Sequence, residues 1–395
     1  MKKLLSILIL SILGFSACSS VNPNTPMQNI TKENLNSFKE LIGLEDDMGV
    51  FYVMHGIVDG KEQGAYLEIT KPSYEMSDDD TSDRVTIKFI ESDDDTIFAP
   101  LDSKDLSFGI DSGNLIVSGT IKPEAYFVTN GSTNASKTID FNLTQDSNAK
   151  INKIYYVESK KEEVLKNKNG EEITYSNYIR KPIIPDSTLP NVDKLNKSIS
   201  NATSVGELRQ NLESYLKNEY DDRIKGFDID NGGFGLAYEE LSSIGYIDDN
   251  ILEVDTLYEY YSFSANHTSG IQLYDINTGE TLPSTVEEIF DINDKNKEAF
   301  LALLSSYIKQ EHLLDLEDEY DNYLFHDVVS NNIPNTFSLG SPLGRYGVSL
   351  EWGGSHSDFF SLTIRYDSLG MIMDYMRDGV LKDYINAIVS RHTKG

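Results

Sequence analysis

The run Val50-Phe51-Tyr52-Val53-Met54 decides how the first half of this 395-residue chain folds. Its β-branched and aromatic residues favour a half-buried strand. Turn-forming residues such as Asp-Gly separate it from four further runs of the same kind. These are Ala65-Tyr66-Leu67-Glu68-Ile69, Val85-Thr86-Ile87-Lys88-Phe89, Leu115-Ile116-Val117 and Thr138-Ile139-Asp140-Phe141. The spacing predicts an antiparallel β domain, a sandwich or a barrel, over residues 31–148, with a helix at residues 31–44.

The second half of the chain mixes helical and strand patterns. Apolar side chains recur at helical spacing in residues 204–227, through Val205, Leu208, Leu212, Leu216 and Ile224. Further helices are expected at residues 296–314 and 371–389, and strands at 257–263, 270–274, 348–352 and 359–366. Because strands and helices do not alternate regularly, the pattern predicts a mixed α+β domain over residues 173–395. Residues 149–172 are expected to connect the two domains, with a short strand at Ile154-Tyr155-Tyr156-Val157 that leads into a charged segment. The whole chain is therefore assigned to the α+β class.

Cys18 is the only cysteine, and it ends the short sequence Phe15-Ser16-Ala17-Cys18. Lys2 and Lys3 precede an apolar run over residues 4–15, which is too short to span a bilayer. This arrangement resembles a bacterial lipoprotein signal, with residues 1–17 removed and Cys18 lipidated. Residues 18–30 would then form a polar tether. An ordinary secretory signal and a buried N-terminal helix are the alternatives.

The chemistry available to the chain is limited by what the sequence lacks. With one cysteine, disulfides and thiolate metal sites are excluded. The six histidines form no His-x-x-x-His pair, and there is no Gly-x-Ser-x-Gly sequence. No second apolar run approaches the ~20 residues of a membrane span. We therefore expect no cofactor, no metal and no membrane contact beyond a lipid anchor at Cys18.

The charge of the chain is strongly acidic. It carries 34 basic and 64 acidic residues, a net charge of −30, and removal of Lys2 and Lys3 with the signal brings this to −32. Such a charge argues against nucleic acid as a partner, because the phosphates would be repelled. It favours a cationic partner by steering the encounter. Solubility alone is the alternative explanation.

Tyrosine is unusually frequent, with 23 residues, and four of them fall in one predicted hairpin: Tyr258, Tyr260, Tyr261 and Tyr274. Tyrosine offers apolar area and a polar tip, so it often anchors binding surfaces. Half-buried strand positions would explain the same residues without any ligand.

Three segments of the second half resemble the extracellular domain shared by the RsiV anti-sigma factor and the PdaC peptidoglycan deacetylase. The first is Tyr178-Ile179-Arg180-Lys181-Pro182-Ile183-Ile184. The second runs from Tyr258-Glu259-Tyr260-Tyr261 through Ala265-Asn266-His267 to Tyr274-Asp275-Ile276-Asn277-Thr278-Gly279-Glu280. The third is Thr363-Ile364-Arg365-Tyr366-Asp367-Ser368-Leu369. The chain lacks the family's double glycine before His267 and has Arg365 where proline is common.

The resemblance implies an α+β binding domain outside the cytoplasmic membrane. In RsiV-like proteins this domain recognises lysozyme, a basic protein, and the acidic charge agrees with such a partner. Neither a cytoplasmic sigma-binding segment nor a deacetylase domain accompanies it, so signalling and deacetylation do not carry over. By the same resemblance, His267, Tyr274 and Asp275 are the candidate ligand-binding residues.

These observations favour a non-enzymatic lipoprotein of the cell envelope that binds lysozyme or a cell-wall ligand. A glycan or peptidoglycan hydrolase or deacetylase is the first alternative, with His267, His356 and neighbouring carboxylates as acid, base or ligands. An envelope assembly or adhesion factor is the second, with the β domain and exposed tyrosines as its interface.

Overall fold

The structure is a computed structural model. It describes residues 25–71, 83–90, 96–121, 138–185, 188–226, 236–261, 265–311, 313–316, 318–339, 347–353 and 360–392. Cys18 and His356 lie outside these residues. The chain is mixed α+β, as predicted, and its strands form one large mixed sheet and one small antiparallel sheet.

The first half contains one helix and seven strands. They are α1 (Leu35–Ile42), β1 (Met48–Val58), β2 (Lys61–Thr70), β3 (Arg84–Phe89), β4 (Thr96–Pro100), β5 (Leu106–Asp111), β6 (Asn114–Ile121) and β7 (Ile139–Gln145). All the pairings among these strands are antiparallel. The β1–β2 turn places Asp59 and Gly60 at φ of 49° and 79°. Positive φ at both positions is the two-residue hairpin geometry that Asp-Gly favours.

Strand β1 is the centre of this half. It pairs with β2 along its length, and its last residues pair with β7. Buried side chains of these strands form one hydrophobic cluster with α1, in which the rings of Phe38 and Phe108 lie 5.1 Å apart. Strands β4 and β5 were not predicted from the sequence.

Residues 149–172, expected to be a connector, contain most of a long hairpin. It consists of β8 (Lys153–Lys166) and β9 (Glu172–Ile183). Residues 153–157 of β8 pair with β1, and residues 155–166 pair with β9. The sheet therefore continues without a break from the first half of the chain into the second.

The second half contains the remaining elements. They are α2 (Val192–Ser200), α3 (Val205–Gly226), β10 (Leu236–Ile247), β11 (Ile251–Tyr261), β12 (Ala265–Asp275), β13 (Glu280–Leu282), α4 (Val286–Ile289), α5 (Lys297–Gln310), α6 (Glu319–Tyr323) with a π-helical turn at Leu324–Val329, β14 (Thr336–Ser338), β15 (Gly347–Trp352), β16 (Phe360–Arg365), α7 (Gly370–Met373) and α8 (Val380–His392). The large sheet has the order β13-β12-β11-β10-β9-β8-β1-β2-β3-β4, and β7, β6 and β5 branch from β1. Strands β9 and β10 are parallel, and β14-β15-β16 form the small sheet.

Helices cover the large sheet and the small sheet in separate clusters. Leu208, Leu212 and Leu216 of α3 pack on Val157 and Ile179 of the β8–β9 hairpin. A second cluster surrounds Phe300 and Trp352 and includes α5, α8 and the small sheet. In the part of the chain that the structure describes, no helix is long and apolar enough to cross a bilayer.

The helix expected at residues 371–389 is instead two helices, α7 and α8. The chain between them bonds to a neighbouring segment: Arg377 N–H donates to the Ile289 carbonyl at 2.8 Å, and Asp291 N–H donates to the Tyr375 carbonyl at 2.8 Å. These bonds replace helical ones. Gly379, a poor helix former, then immediately precedes α8.

Candidate functional site

The candidate residues named from sequence occupy opposite ends of one strand. His267 lies on β12 opposite Glu259 of β11, and the structure does not describe its side chain. Tyr274 and Asp275 end the same strand. Seven residues of strand span roughly 23 Å. The structure therefore does not bring His267 together with the other two.

Tyr274 and Asp275 are both buried and bonded within the chain. The Tyr274 hydroxyl donates to the Ser198 carbonyl at 3.4 Å, and burial raises the pKa of Tyr274 to about 12. The Asp275 carboxylate accepts from the backbone N–H groups of Asn277 at 2.8 Å and Thr278 at 3.3 Å. These bonds hold α2 and the β12–β13 turn in place. A ligand-binding role for these residues stays a prediction.

A second candidate surface, which contains exposed tyrosines and several aspartates, lies around α6. Tyr320 and Tyr323 are 50% and 43% exposed, among the most exposed large hydrophobic side chains that the structure describes. They are three residues apart, so they lie on the same side of the helix. Asp315, Asp318 and Asp321 lie within five residues of Tyr320 in the sequence, and we call these five residues together the tyrosine–carboxylate face.

The acidic residues of this face also shape its backbone. Asp318 caps α6 by accepting from Tyr320 N–H at 2.9 Å and Asp321 N–H at 3.1 Å. The Asp321 carboxylate accepts from Asp315 N–H at 2.8 Å. The α6 helix then widens into the π-helical turn, a feature that often marks functional segments. The two tyrosines are therefore presented by a backbone that the carboxylates hold in one conformation.

Tyrosines and aspartates together can bind the basic side chains of a partner. Tyrosine ring faces attract cations, and carboxylates form charge-assisted hydrogen bonds with guanidinium and ammonium groups. The sequence pattern favoured the tyrosines of the β11–β12 hairpin as binding residues instead. Of these, Tyr258 is 36% exposed and Tyr274 is buried. Two tyrosines at helical spacing within the acidic stretch of residues 315–323 were the available signal for the α6 surface.

A second group of charged side chains lies where the two halves of the large sheet meet. It consists of Glu68 on β2, Lys88 on β3, Glu253 and Asp255 on β11, and Glu351 on β15, and we call it the junction cluster. Glu253 is fully buried, and its carboxylate accepts from the Ser338 hydroxyl at 2.7 Å and from Leu339 N–H. Lys88 interacts electrostatically with Asp255, Glu253 and Glu68.

The junction cluster alters the acidity of its members. Burial raises the pKa of Asp255 to about 7; Lys88 opposes the shift, and Glu351 and Glu68 add to it. Burial also lowers the pKa of Lys88, against the attraction of Asp255, Glu253 and Glu68, and it raises the pKa of Glu351. Asp255 therefore exchanges its proton near neutral pH. Across the described residues, no group of acidic, histidine or cysteine side chains is arranged to hold a metal ion.

Comparisons with known proteins give distant structural likenesses and no residue roles. No protein-family model and no curated protein matches the chain. A DUF3298 family member from Bacteroides fragilis NCTC 9343 is 14% identical with a TM-score of 0.40, over 59% of this chain and 97% of its own. A DUF3298 family protein from Pseudomonas aeruginosa PAO1 is 12% identical with a TM-score of 0.35, over 56% of this chain and 94% of its own. The structural neighbours thus belong to a bacterial domain family of unknown function, and an RsiV/PdaC-type domain stays a resemblance.

Proposed function

We propose that this chain is a lipid-anchored protein of the bacterial cell envelope that binds a basic partner without catalysing a reaction. Lysozyme is the sharpest candidate, and a cell-wall ligand is the other. The observation that carries the proposal is the tyrosine–carboxylate face, in which Tyr320 and Tyr323 are 50% and 43% exposed within a segment that contains three aspartates. Large aromatic anchors combined with charges opposite to those of the partner are typical of tight interface centres.

The charge of the chain and its N-terminal sequence support this proposal. A net charge of −30 attracts a cationic protein at long range, which raises the encounter rate. A lipid on Cys18 would keep the binding surface outside the cytoplasmic membrane. The β-rich first half, which we take to be a sandwich or a barrel, would separate the anchor from the binding half.

The test is calorimetric titration of hen-type lysozyme into the protein lacking residues 1–18, at low and at moderate salt. Saturable binding at unit stoichiometry that persists at moderate salt is the expected result. Salt screens exposed charges beyond about 8–10 Å, so a diffuse attraction would disappear under the same conditions. Loss of all heat at moderate salt would refute specific recognition of lysozyme.

A second function is favoured by one observation in the junction cluster. The pKa of Asp255 lies near 7, and the carboxylate of Glu253 lies close to it, a combination suited to general acid–base chemistry. Under this hypothesis the chain would hydrolyse glycan. Release of soluble sugars from purified peptidoglycan, abolished by Asp255→Asn, would support the hydrolase. No release by the wild-type protein would eliminate it.

A further inference from the structure

Strands β3 and β11 meet although they are far apart in the sheet order. Lys88 projects from β3 and interacts with Asp255 and Glu253 of β11. Between the two strands the sheet order places β2, β1, β8, β9 and β10. The Tyr66 hydroxyl of β2 also donates to the Ile247 carbonyl of β10 at 2.9 Å. The large sheet must therefore curl until its two halves face each other at the junction cluster.

The junction cluster between β3 and β11 contains more negative than positive groups. Four carboxylates face two cations: Lys88 interacts with Glu68, Glu253 and Asp255, and Arg180 interacts with Glu68. The fourth carboxylate, that of Glu351, interacts with Asp255. The buried Oδ1 atom of Asp255 has no hydrogen-bond partner among the described residues. Like charges held close together at low solvent access repel strongly, so complete ionisation of this group is costly.

The backbone of β10 brings two of these carboxylates together. The pairing of β10 with β11 is irregular between Ile244 and Tyr246, which places Gly245 beneath the cluster. Asp255 Oδ2 and Glu253 Oε1 each lie 2.5 Å from the position that a Cβ atom on Gly245 would occupy. The two oxygens are therefore separated by no more than twice that distance.

Charged side chains reach Asp255 from three neighbouring strands and from its own strand. Lys88 faces it from β3, Glu68 from β2 and Glu351 from β15, and Glu253 lies on its own strand. The neighbouring strands β10 and β12 place Ser243 and Ile271 opposite Asp255, and neither side chain titrates. Among the described residues, two positive charges belong to this environment: that of Lys88, and that of Arg180 on β9, whose guanidinium interacts with Glu68.

We infer that the junction cluster is a proton-dependent latch between β3 and β11. Binding of one proton reduces the net negative charge of the cluster. The reduced repulsion holds the two halves of the sheet together. Loss of that proton adds a buried negative charge to the contact, and strands β2 and β3 separate from β10 and β11. The latch concerns the opening of this junction and does not depend on the proposed binding of lysozyme.

The direction of the pH effect follows from proton linkage. The pKa of Asp255 is raised to about 7 in the folded chain, above the ordinary value for an aspartate. The stabilisation that Asp255 gives to the closed junction is complete at pH values below the ordinary aspartate pKa. It is lost as the pH rises through about 7. The latch is therefore closed in mild acid and open in mild alkali.

Hydrogen–deuterium exchange of the full chain in detergent, at pH 5.5 and pH 8.5, tests the latch. After correction for the intrinsic pH dependence of exchange, protection of β2 and β3 should fall about tenfold or more at the higher pH, since one pKa unit is a factor of ten. Protection of α5 should not change. Asp255→Asn should abolish the fall, and Asp102→Asn, which alters an exposed acid, should retain it.

A second variant keeps the test independent of the first. Lys88→Met removes the positive charge that favours ionised Asp255, so the midpoint of the protection change should move to higher pH. Equal protection of β2 and β3 at both pH values in the wild-type chain would overturn the inference. So would an unchanged midpoint in Lys88→Met, or a tenfold fall that persists in Asp255→Asn.

Discussion

The hydroxyl of Tyr66 on β2 donates to the carbonyl oxygen of Ile247 on β10 at 2.9 Å, across 181 residues of sequence. The same hydroxyl accepts from Ile247 N–H at 3.3 Å. Beside it, the Tyr156 hydroxyl donates to Glu68 at 2.5 Å and accepts from Ile244 N–H at 3.1 Å. Two tyrosines thus tie β2 to the irregular end of β10, and they close the curl that creates the junction cluster.

Removing the Tyr66 hydroxyl should weaken this closure. Tyr66→Phe leaves the buried N–H and carbonyl of Ile247 without this partner, so we expect a loss of about 1–3 kcal/mol in the free energy of unfolding. Urea unfolding measures it. Tyr215→Phe, at a 38% exposed position on α3, is the matched control and should change stability by less than about 0.5 kcal/mol. Equal effects of the two variants would contradict this account.

Gly245 should tolerate no side chain. A Cβ atom there would lie 2.5 Å from two carboxylate oxygens, and Gly245→Ala should therefore destabilise the chain by about 1–3 kcal/mol. Gly206 lies in α3 with nothing within 4 Å of a Cβ atom. Gly206→Ala should instead stabilise it by about 0.4–1 kcal/mol. Thermal unfolding of both variants checks the opposite signs, and a stabilising Gly245→Ala would show that the packing argument fails.

Two buried asparagines should respond in opposite ways to leucine. Asn177 on β9 is fully buried, and neither amide atom has a hydrogen-bond partner among the described residues. Asn177→Leu should therefore stabilise the chain by about 1–2 kcal/mol. Asn196 on α2 is equally buried but bonds the backbone N–H and carbonyl of Ile184 at 2.9 and 2.8 Å.

Asn196→Leu removes both of these bonds and should destabilise the chain by roughly 2–3 kcal/mol. The midpoint of urea unfolding, at an unchanged slope, measures both substitutions. If Asn177→Leu destabilises as much as Asn196→Leu, Asn177 has a partner in solution that the described residues do not supply.

The lipid anchor has a direct test. Cys18 is the only thiol of the chain, so labelled palmitate should be incorporated into the wild-type protein and not into Cys18→Ala. The variant should also leave the membrane fraction, because each buried methylene of the lipid contributes ~0.8 kcal/mol to anchoring. Ser20→Ala, two residues away, should label normally. Label retained in Cys18→Ala would refute lipidation at this residue.

Local patterns in the sequence predicted the local elements well. The helical spacing of Leu208, Leu212 and Leu216 placed α3 within one residue of its observed bounds, and alternation located β1, β2 and β3. The charged part of β8 was missed because most of its side chains are exposed, and exposed strands carry no hydrophobic period. Its pairing on both sides identifies it as a strand.

The candidate sites depend on contacts that sequence does not reveal. Lys88 and Asp255 meet only because the sheet curls, and 64 acidic residues conceal which carboxylates are buried together. Tyr274 and Asp275 lie in a recognisable motif, yet their hydrogen bonds hold a turn and a helix. Tyr320 and Tyr323 follow an ordinary helical spacing, and only their exposure distinguishes them.

The most direct test of the proposed function is lysozyme affinity in the presence and absence of the two exposed tyrosines. Calorimetry at moderate salt should compare the wild-type chain, the double variant Tyr320→Ala/Tyr323→Ala and the control Tyr215→Ala. Loss of interface anchors typically costs about 2 kcal/mol or more, so the double variant should bind at least about thirtyfold more weakly. The control should bind like wild type. Unchanged affinity in the double variant would contradict a binding role for the tyrosine–carboxylate face.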